Sequence, residues 1–314
     1  MRNAFADEMV KLADADRRIV LLSGDIGNRL FDPFKASFPH RFFNCGVAEA
    51  NMIGVAAGMA MSGLRPVVYT IAAFATIRCL EQIRVDLCYH HQPVVVVGVG
   101  AGLSYASLGG THHACEDIAA LRALPGISVV CPGDAFEVRG ALRATLLLDG
   151  PSYLRLGKKG EPLVHASVPD LAIGRALRLR RGHDVALLAV GTLLPLALAA
   201  AEELERAGLS VEIASFHSVK PLDAEYLREV FADCRVVATI EEHSVRGGAG
   251  SAVAEWLAAT DTADRRARLM TIGVPDRFLH EAGSQTYARQ VLGLTAPDIA
   301  ADVLEAFRST QDRR

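Results

Sequence analysis

Runs of consecutive apolar residues alternate with amphipathic stretches along the whole chain. IVLLS (19–23), PVVYT (66–70) and VVVVGV (94–99) hold almost no polar position. Strands buried on both faces read this way, whereas a sheet with one wet face alternates apolar and polar. Between these runs, apolar residues fall at helical spacing, as with Phe5, Met9 and Leu12, or Phe31, Phe34 and Phe38. The pattern predicts a helix, a strand, a phenylalanine-rich segment and a helix from Glu49 to Met61. A strand at LRPVVYT, a helix over 72–89, a strand at PVVVVGVG and a Gly/His-rich loop (101–113) follow. EDIAALRAL and DAFEVRGALRATLLL predict helices, and GISVVCP and PSYLRLG predict strands. Repeated strand-then-helix units with unbroken apolar strands predict a parallel sheet covered by helices.

The periodicity then lapses. KKGEPLVHASVPDLAIG places a linker over 161–174, between a first domain at 1–160 and a second at 175–314. The second domain repeats the pattern with strands at DVALLAVG, SVEIASFH, CRVVATIEEH and RLMTIGV, and a helix ended by Gly208. The fold class is α/β, with two domains that are each a sheet covered by helices. The first sheet is expected to be parallel and the second, smaller one mixed.

Composition narrows the classes. At 314 residues and 51% hydrophobic, the chain can fill two cores. A net charge of −3 gives no reason for nucleic acid or an anionic membrane as partner. No apolar run reaches the ~18 residues of a membrane span, and the N-terminal segment is amphipathic and acidic, unlike a signal peptide. The six cysteines show no CxxC and no metal-like spacing, so they read as free thiols of a cytoplasmic protein, and no metal site is expected on this chain.

Four stretches carry candidate chemistry. Glu49 heads a helix that is otherwise uncharged, and Gly54 and Gly58 share one of its faces. The helix is expected to be buried all round. Glu49 is then either a cap at the positive end of a core helix or a desolvated functional carboxylate. His112 and His113 lie among Gly109, Gly110 and Thr111 after a buried strand, where ligands bind in open α/β sheets. Arg155, Lys158 and Lys159, at the end of the first domain, are an anion site or solvated charges. EEHSVRGGAGS is an anion cradle or a structural turn, the latter preferred. A dinucleotide site at Gly98, Gly100 and Gly102 is set aside, because the third glycine of the fingerprint and an immediate helix are missing.

The motifs GVAEANMIGVAAGMA, LGGTHHACEDIAALRALPGISVVCPGD, GPSYLRLG, TIEEHSVRGGAGSAVAEWLA and GVPDRFLHEAG occur in that order. Together they resemble the C-terminal part of transketolases and other thiamine diphosphate (ThDP) enzymes, a pyrimidine-binding domain followed by the transketolase C-terminal domain. Length and order are most similar to the small subunit of split bacterial transketolases. The resemblance implies transfer of a two-carbon ketol unit between sugars or sugar phosphates. It implies that Glu49 hydrogen-bonds the N1′ atom of the ThDP pyrimidine and that Phe74 stacks on that ring. Ile71 and Ile77 stand where many relatives carry aromatics. His112 is implied as the contact to donor oxygens and a proton relay, with His113 beside it. Lys158, or Arg155, is implied as the phosphate contact. Leu108 stands where many relatives have an Asp that meets a sugar hydroxyl.

The family holds Mg2+ and the diphosphate through a GDG…N motif. SGDIGN at Ser23 follows the first strand and lacks the spacing to a later Asn. The resemblance therefore implies a separate large subunit carrying the pyrophosphate-binding domain, with the Mg2+ ligands on that partner. It also implies self-association, as α2β2, through the helices around Glu49 and 71–89. Deoxyxylulose-phosphate synthases and 2-oxo-acid dehydrogenase beta subunits share this architecture and stand as alternatives, as does a non-catalytic assembly subunit.

Overall fold

Apolar runs form the strands β1 (Ile19–Ser23), β2 (Phe42–Asn44), β3 (Arg65–Ile71), β4 (Val95–Val99), β5 (Ser128–Val130) and β6 (Ser152–Leu156). After a segment without helix or strand come β7 (Leu177–Arg180), β8 (Val185–Val190), β9 (Val211–Ser215), β10 (Ser218–Lys220), β11 (Val236–Ser244) and β12 (Arg268–Val274). The computed structural model describes residues 1–27, 29–260 and 266–311, and all statements concern these. β1, β4, β6, β8 and β9 are buried at every position, as strands covered on both faces must be.

The strands make two sheets, in the order β10-β5-β6-β4-β3-β1-β2 and β12-β11-β8-β9-β7. The first sheet is parallel except at one edge, where β10 pairs antiparallel with β5. In the second, β7 runs antiparallel to β9 and the rest are parallel. The first sheet is thus parallel, as expected, but for one edge strand that comes from the other half of the sequence. SVK is too short to show a period, and its place is set by burial of Val219 against β5.

One face of the first sheet is covered by the helices Arg2–Ala15 and Ala135–Leu146, over a core of Phe5, Met9, Phe31, Tyr69, Val138 and Leu142. The other face packs the helix Glu49–Met61, and this core runs without a break into the second domain through Phe216, Tyr226 and Val253. Glu8 ties the two helices of the first face together. It is buried, accepts from Arg143 Nε at 2.6 Å and Arg139 Nη1 at 3.1 Å, and sits below its ordinary value of 4.5. Burial pushes this carboxyl up, but the two guanidinium groups outweigh it. Its contribution to stability is therefore present above the unfolded value and lost as pH falls through the lowered folded one. In thermal denaturation, the melting temperature of the wild type is expected to fall more steeply below pH 4.5 than that of Glu8→Gln.

Two helical expectations are corrected. Residues 72–89 do not form one helix but break into Ala72–Ala75, a 3-10 turn at Ile77–Cys79, Leu80–Gln82 and a π-helical stretch, Ile83–Tyr89. The buried Thr76 hydroxyl donates to the Ala72 carbonyl at 2.7 Å and competes with the helical ladder at the break. The helix Glu49–Met61 is not buried all round either. Asn51, Val55, Gly58 and Met61 form an exposed stripe, and a side chain added at Gly58 would meet nothing within 4 Å.

Candidate active site

Parallel strands bring their C-terminal ends to one edge. There the turn after β1 (Gly24), the end of β3 (Ile71), the loop after β4 (101–113) and the residues just past β6 (Lys158) lie side by side. The helix Glu49–Met61 begins at the same edge, after β2. Its N-cap, Ala48, makes no side-chain cap bond, and Glu49 does not fold back as a cap. Its carboxylate is 2% exposed and accepts from Arg78 Nη1 at 2.8 Å. Cys79 lies close by, and burial together with the Glu49 charge pushes its thiol up to about 12.

Around this carboxylate the backbone is tight. A Cβ at Gly24 would come within 2.9 Å of Thr70 Oγ1 and 3.4 Å of Glu49 Cγ, so only glycine lets these two groups approach. Thr70 Oγ1 is buried and has no hydrogen-bond partner. Arg78, whose side chain is 46% exposed, lies with its guanidinium 4.0 Å over the Phe74 ring. Phe74 in turn meets the His112 ring edge-on, with centroids 5.2 Å apart. Glu49, Phe74 and His112, far apart in sequence, are thereby joined in one chain of contacts. Arg78 is the member that the sequence pattern did not single out. The signal was present: Arg78 follows Phe74 by four residues, the spacing at which side chains stack on one helical face.

The His loop is clamped from both domains. Glu242, on β11, accepts from the Leu103 amide at 2.6 Å and is paired with Arg289, and a Cβ at Gly102 would come within 2.5 Å of the Glu242 carbonyl. At the loop's tip, His112 Nδ1 lies 3.0 Å from Thr111 Oγ1. His113 is half-buried, and its Nε2 is enclosed with no partner. Burial pushes its pKa down, so at neutral pH it is the uncharged ring. With Ile77, Gly110 and Phe278, His113 lines a mainly apolar cavity of about 440 Å³ between the domains. Leu108 projects from the same loop and is 55% exposed.

The phosphate contacts separate. Lys158 lies just past β6 and is partly exposed. Arg155 points into the protein instead: its side chain is 1% exposed and its Nε donates to Asp117 at 2.7 Å. Its Nη2 donates to the carbonyls of Ala114 and Glu242. Arg155 as a phosphate contact is corrected, since its charge is already matched inside the fold. The GGAG turn is structural as well. The amides of Ala249 and Gly250 both donate to the buried Glu241 carboxylate at 2.8 Å, which fills the place of an anion at that helix start. The candidate dinucleotide glycines serve this chain's own side chains, with Tyr153 against Gly98 and Tyr105 against Gly100. Of SGDIGN, Ser23 Oγ bonds the Ile26 carbonyl at 2.7 Å, and Asn28 lies outside the described residues.

Residues 1–161 match the family described as "Transketolase, pyrimidine binding domain", and residues 174–299 match "Transketolase, C-terminal domain". The chain belongs to the transketolase family. It is 37% identical to the 6-deoxy-6-sulfo-D-fructose transketolase subunit of Clostridium sp. (strain MSTE9), over 95% of this chain and 92% of the relative. It is 33% identical to an apulose-4-phosphate transketolase subunit of Phocaeicola vulgatus, over 97% and 96% of the two chains. A solved structure described as "Split gene transketolase, inactive beta4 tetramer" superposes with a TM-score of 0.88 at 36% identity, over 98% of this chain and 97% of the other. Against 1-deoxy-D-xylulose-5-phosphate synthases, such as that of Chlorobium phaeovibrioides, the chain spans 47% of the relative's length. This transketolase chain therefore matches subunit-sized relatives over nearly their whole length.

Proposed function

We propose that this chain is the small subunit of a ThDP-dependent transketolase that moves a two-carbon ketol unit from a ketose to an aldose. The observation that carries the reading is Glu49, a buried carboxylate at the ligand edge of a parallel sheet with an aromatic ring and a histidine joined to it. The residues present fit the pyrimidine half of the cofactor: Glu49 offers a carboxyl, Phe74 a ring, and the orphaned Thr70 hydroxyl a free polar atom. When bound, ThDP supplies the carbon nucleophile for the donor carbonyl.

The chain's own residues do the rest. Glu49 would hold N1′ and share a proton with it, in a site where burial strengthens the hydrogen bond. Phe74 offers a flat face, and Ile71 and Ile77 line the ring with aliphatic groups. His112 orients the donor's oxygens and carries a proton, while neutral His113 stands behind it as a hydrogen-bonding group without charge. Lys158 meets an anionic substrate end. The relatives named for a sulfo-sugar and a sugar phosphate agree with such an end. Leu108 presents an apolar surface to the acceptor and favours one without a hydroxyl at that point.

The large subunit brings the pyrophosphate-binding domain and the Mg2+ ligands. Self-association as α2β2 uses the exposed stripe of Asn51, Val55, Gly58 and Met61 together with Tyr89, where the bare glycine allows close backbone approach. The six cysteines are free thiols, which suits a reducing cytoplasm. The test is reconstitution with the partner chain, ThDP and Mg2+, followed by a ketol-transfer assay. Neither chain alone is expected to turn over, and the mixture is. A stable complex without turnover favours the assembly-subunit reading instead.

A further inference from the structure

Arg78 touches both groups that the proposed function assigns to the cofactor's pyrimidine. It donates to the Glu49 carboxylate at 2.8 Å and lies flat over Phe74 at 4.0 Å. A guanidinium is a planar N–C–N unit with in-plane N–H donors. A pyrimidine ring seated on Phe74 with its edge toward Glu49 would need the same two positions. We infer that Arg78 holds the contacts the pyrimidine would take and must swing out before the cofactor can be seated. The inference rests on the proposed function, because it takes Glu49 and Phe74 as the pyrimidine contacts.

Three observations support it. First, contact with both groups at once leaves no face of Phe74–Glu49 free for a second planar ligand on that side. Second, the Arg78 side chain is nearly half exposed and makes no other hydrogen bond among the described residues, so it has solvent to swing into and little to hold it back. Third, it stands in the 3-10 turn Ile77–Cys79, at the break in the 72–89 segment, where the backbone is not locked into one helical ladder.

The exchange has a proton requirement. A carboxylate paired with Arg78 is an acceptor only, and a pyrimidine ring nitrogen is also an acceptor. Two acceptors do not bond, so the pair of ring nitrogen and carboxylate must take up one proton between them as Glu49 changes partner. Arg78 is thus a positioning residue. It partners and orders the buried carboxylate and releases it on loading.

Isothermal titration of ThDP with Mg2+ into the assembled complex, in buffers of different ionisation enthalpy, reads affinity and proton uptake together. Arg78→Met is expected to tighten ThDP binding about tenfold, or about 1.4 kcal/mol. Arg78→Lys, which keeps the charge without the plane, is expected to fall between Met and wild type, and it covers the case of a Met variant that does not fold. Glu49→Gln is expected to abolish the uptake. Binding by Arg78→Met that weakens, or stays within about twofold of wild type, overturns the inference, as does loading of the wild type without proton uptake. A wild-type complex that does not bind ThDP sinks the proposed function and this inference together. A complex that turns over through Glu49 but does not bind more tightly without Arg78 sinks this inference alone.

Discussion

Replacing Glu49 by Gln is expected to lower ketol-transfer turnover of the assembled enzyme by a factor of about 10² to 10⁴, the usual range for loss of a positioned proton donor. Gln fills nearly the same space and can hydrogen-bond a ring nitrogen, but it has no proton to share. The fold is expected to survive. The partner left behind, Arg78, is 46% exposed and returns to water, so the stability change stays below about 1 kcal/mol. The measurement is kcat in the reconstituted assay beside a melting curve of the same protein. Turnover at the wild-type level in a folded Glu49→Gln complex would remove Glu49 from the chemistry.

The second large effect comes from an ion pair of the same types in the opposite setting. Asp117 and Arg155 are sealed from solvent, with side chains 0% and 1% exposed. Burial pushes the Asp117 carboxyl up, yet the Arg155 charge and hydrogen bond hold it below its ordinary value. Asp117→Ala is expected to destabilise the chain by about 3–5 kcal/mol, because it strands a buried guanidinium. The Tyr153 hydroxyl, which donates to Asp117 at 2.7 Å, loses its partner too. A urea unfolding series reads the shift in midpoint. Replacing both members of the pair, Asp117→Leu with Arg155→Met, is expected to recover most of the stability. It is not expected to recover activity. Arg155 also holds the Ala114 and Glu242 carbonyls, next to His113 and in the second domain, so the His loop loses its anchor. A rise in KM that persists in the restabilised double variant is the sign of that role.

The two pairs also show what could be read from sequence. Glu49 and His112 sit in local patterns, a carboxylate before an uncharged helix and a histidine in a glycine loop, and these singled them out as candidates, whereas Phe74 entered only through the family resemblance. Arg155 was misplaced because an Arg at a strand end is solvated unless a distant residue claims it, and Asp117 lies 38 positions away. Arg78 was passed over for the related reason that its meaning depends on Glu49, 29 positions away. Among the elements, the long apolar strands were plain. β2, β7 and β10 were not, since three or four residues are too few to show a period, and the broken 72–89 segment hid behind apolar residues at helical spacing. What escaped was non-local pairing, which a single sequence does not display.

β10 gives the chain a property that its two family matches conceal. Residues 218–220 belong to the second half of the sequence but complete the edge of the first sheet, against β5. A cut through the linker near residue 170 would look clean on paper. It would strip a neighbour from β5, leave its amides and carbonyls bare, and open a hydrophobic seam from Val219 to Phe216. A fragment ending before β10 would therefore be an invitation to aggregate, and any fusion, truncation or domain exchange has to carry both halves together.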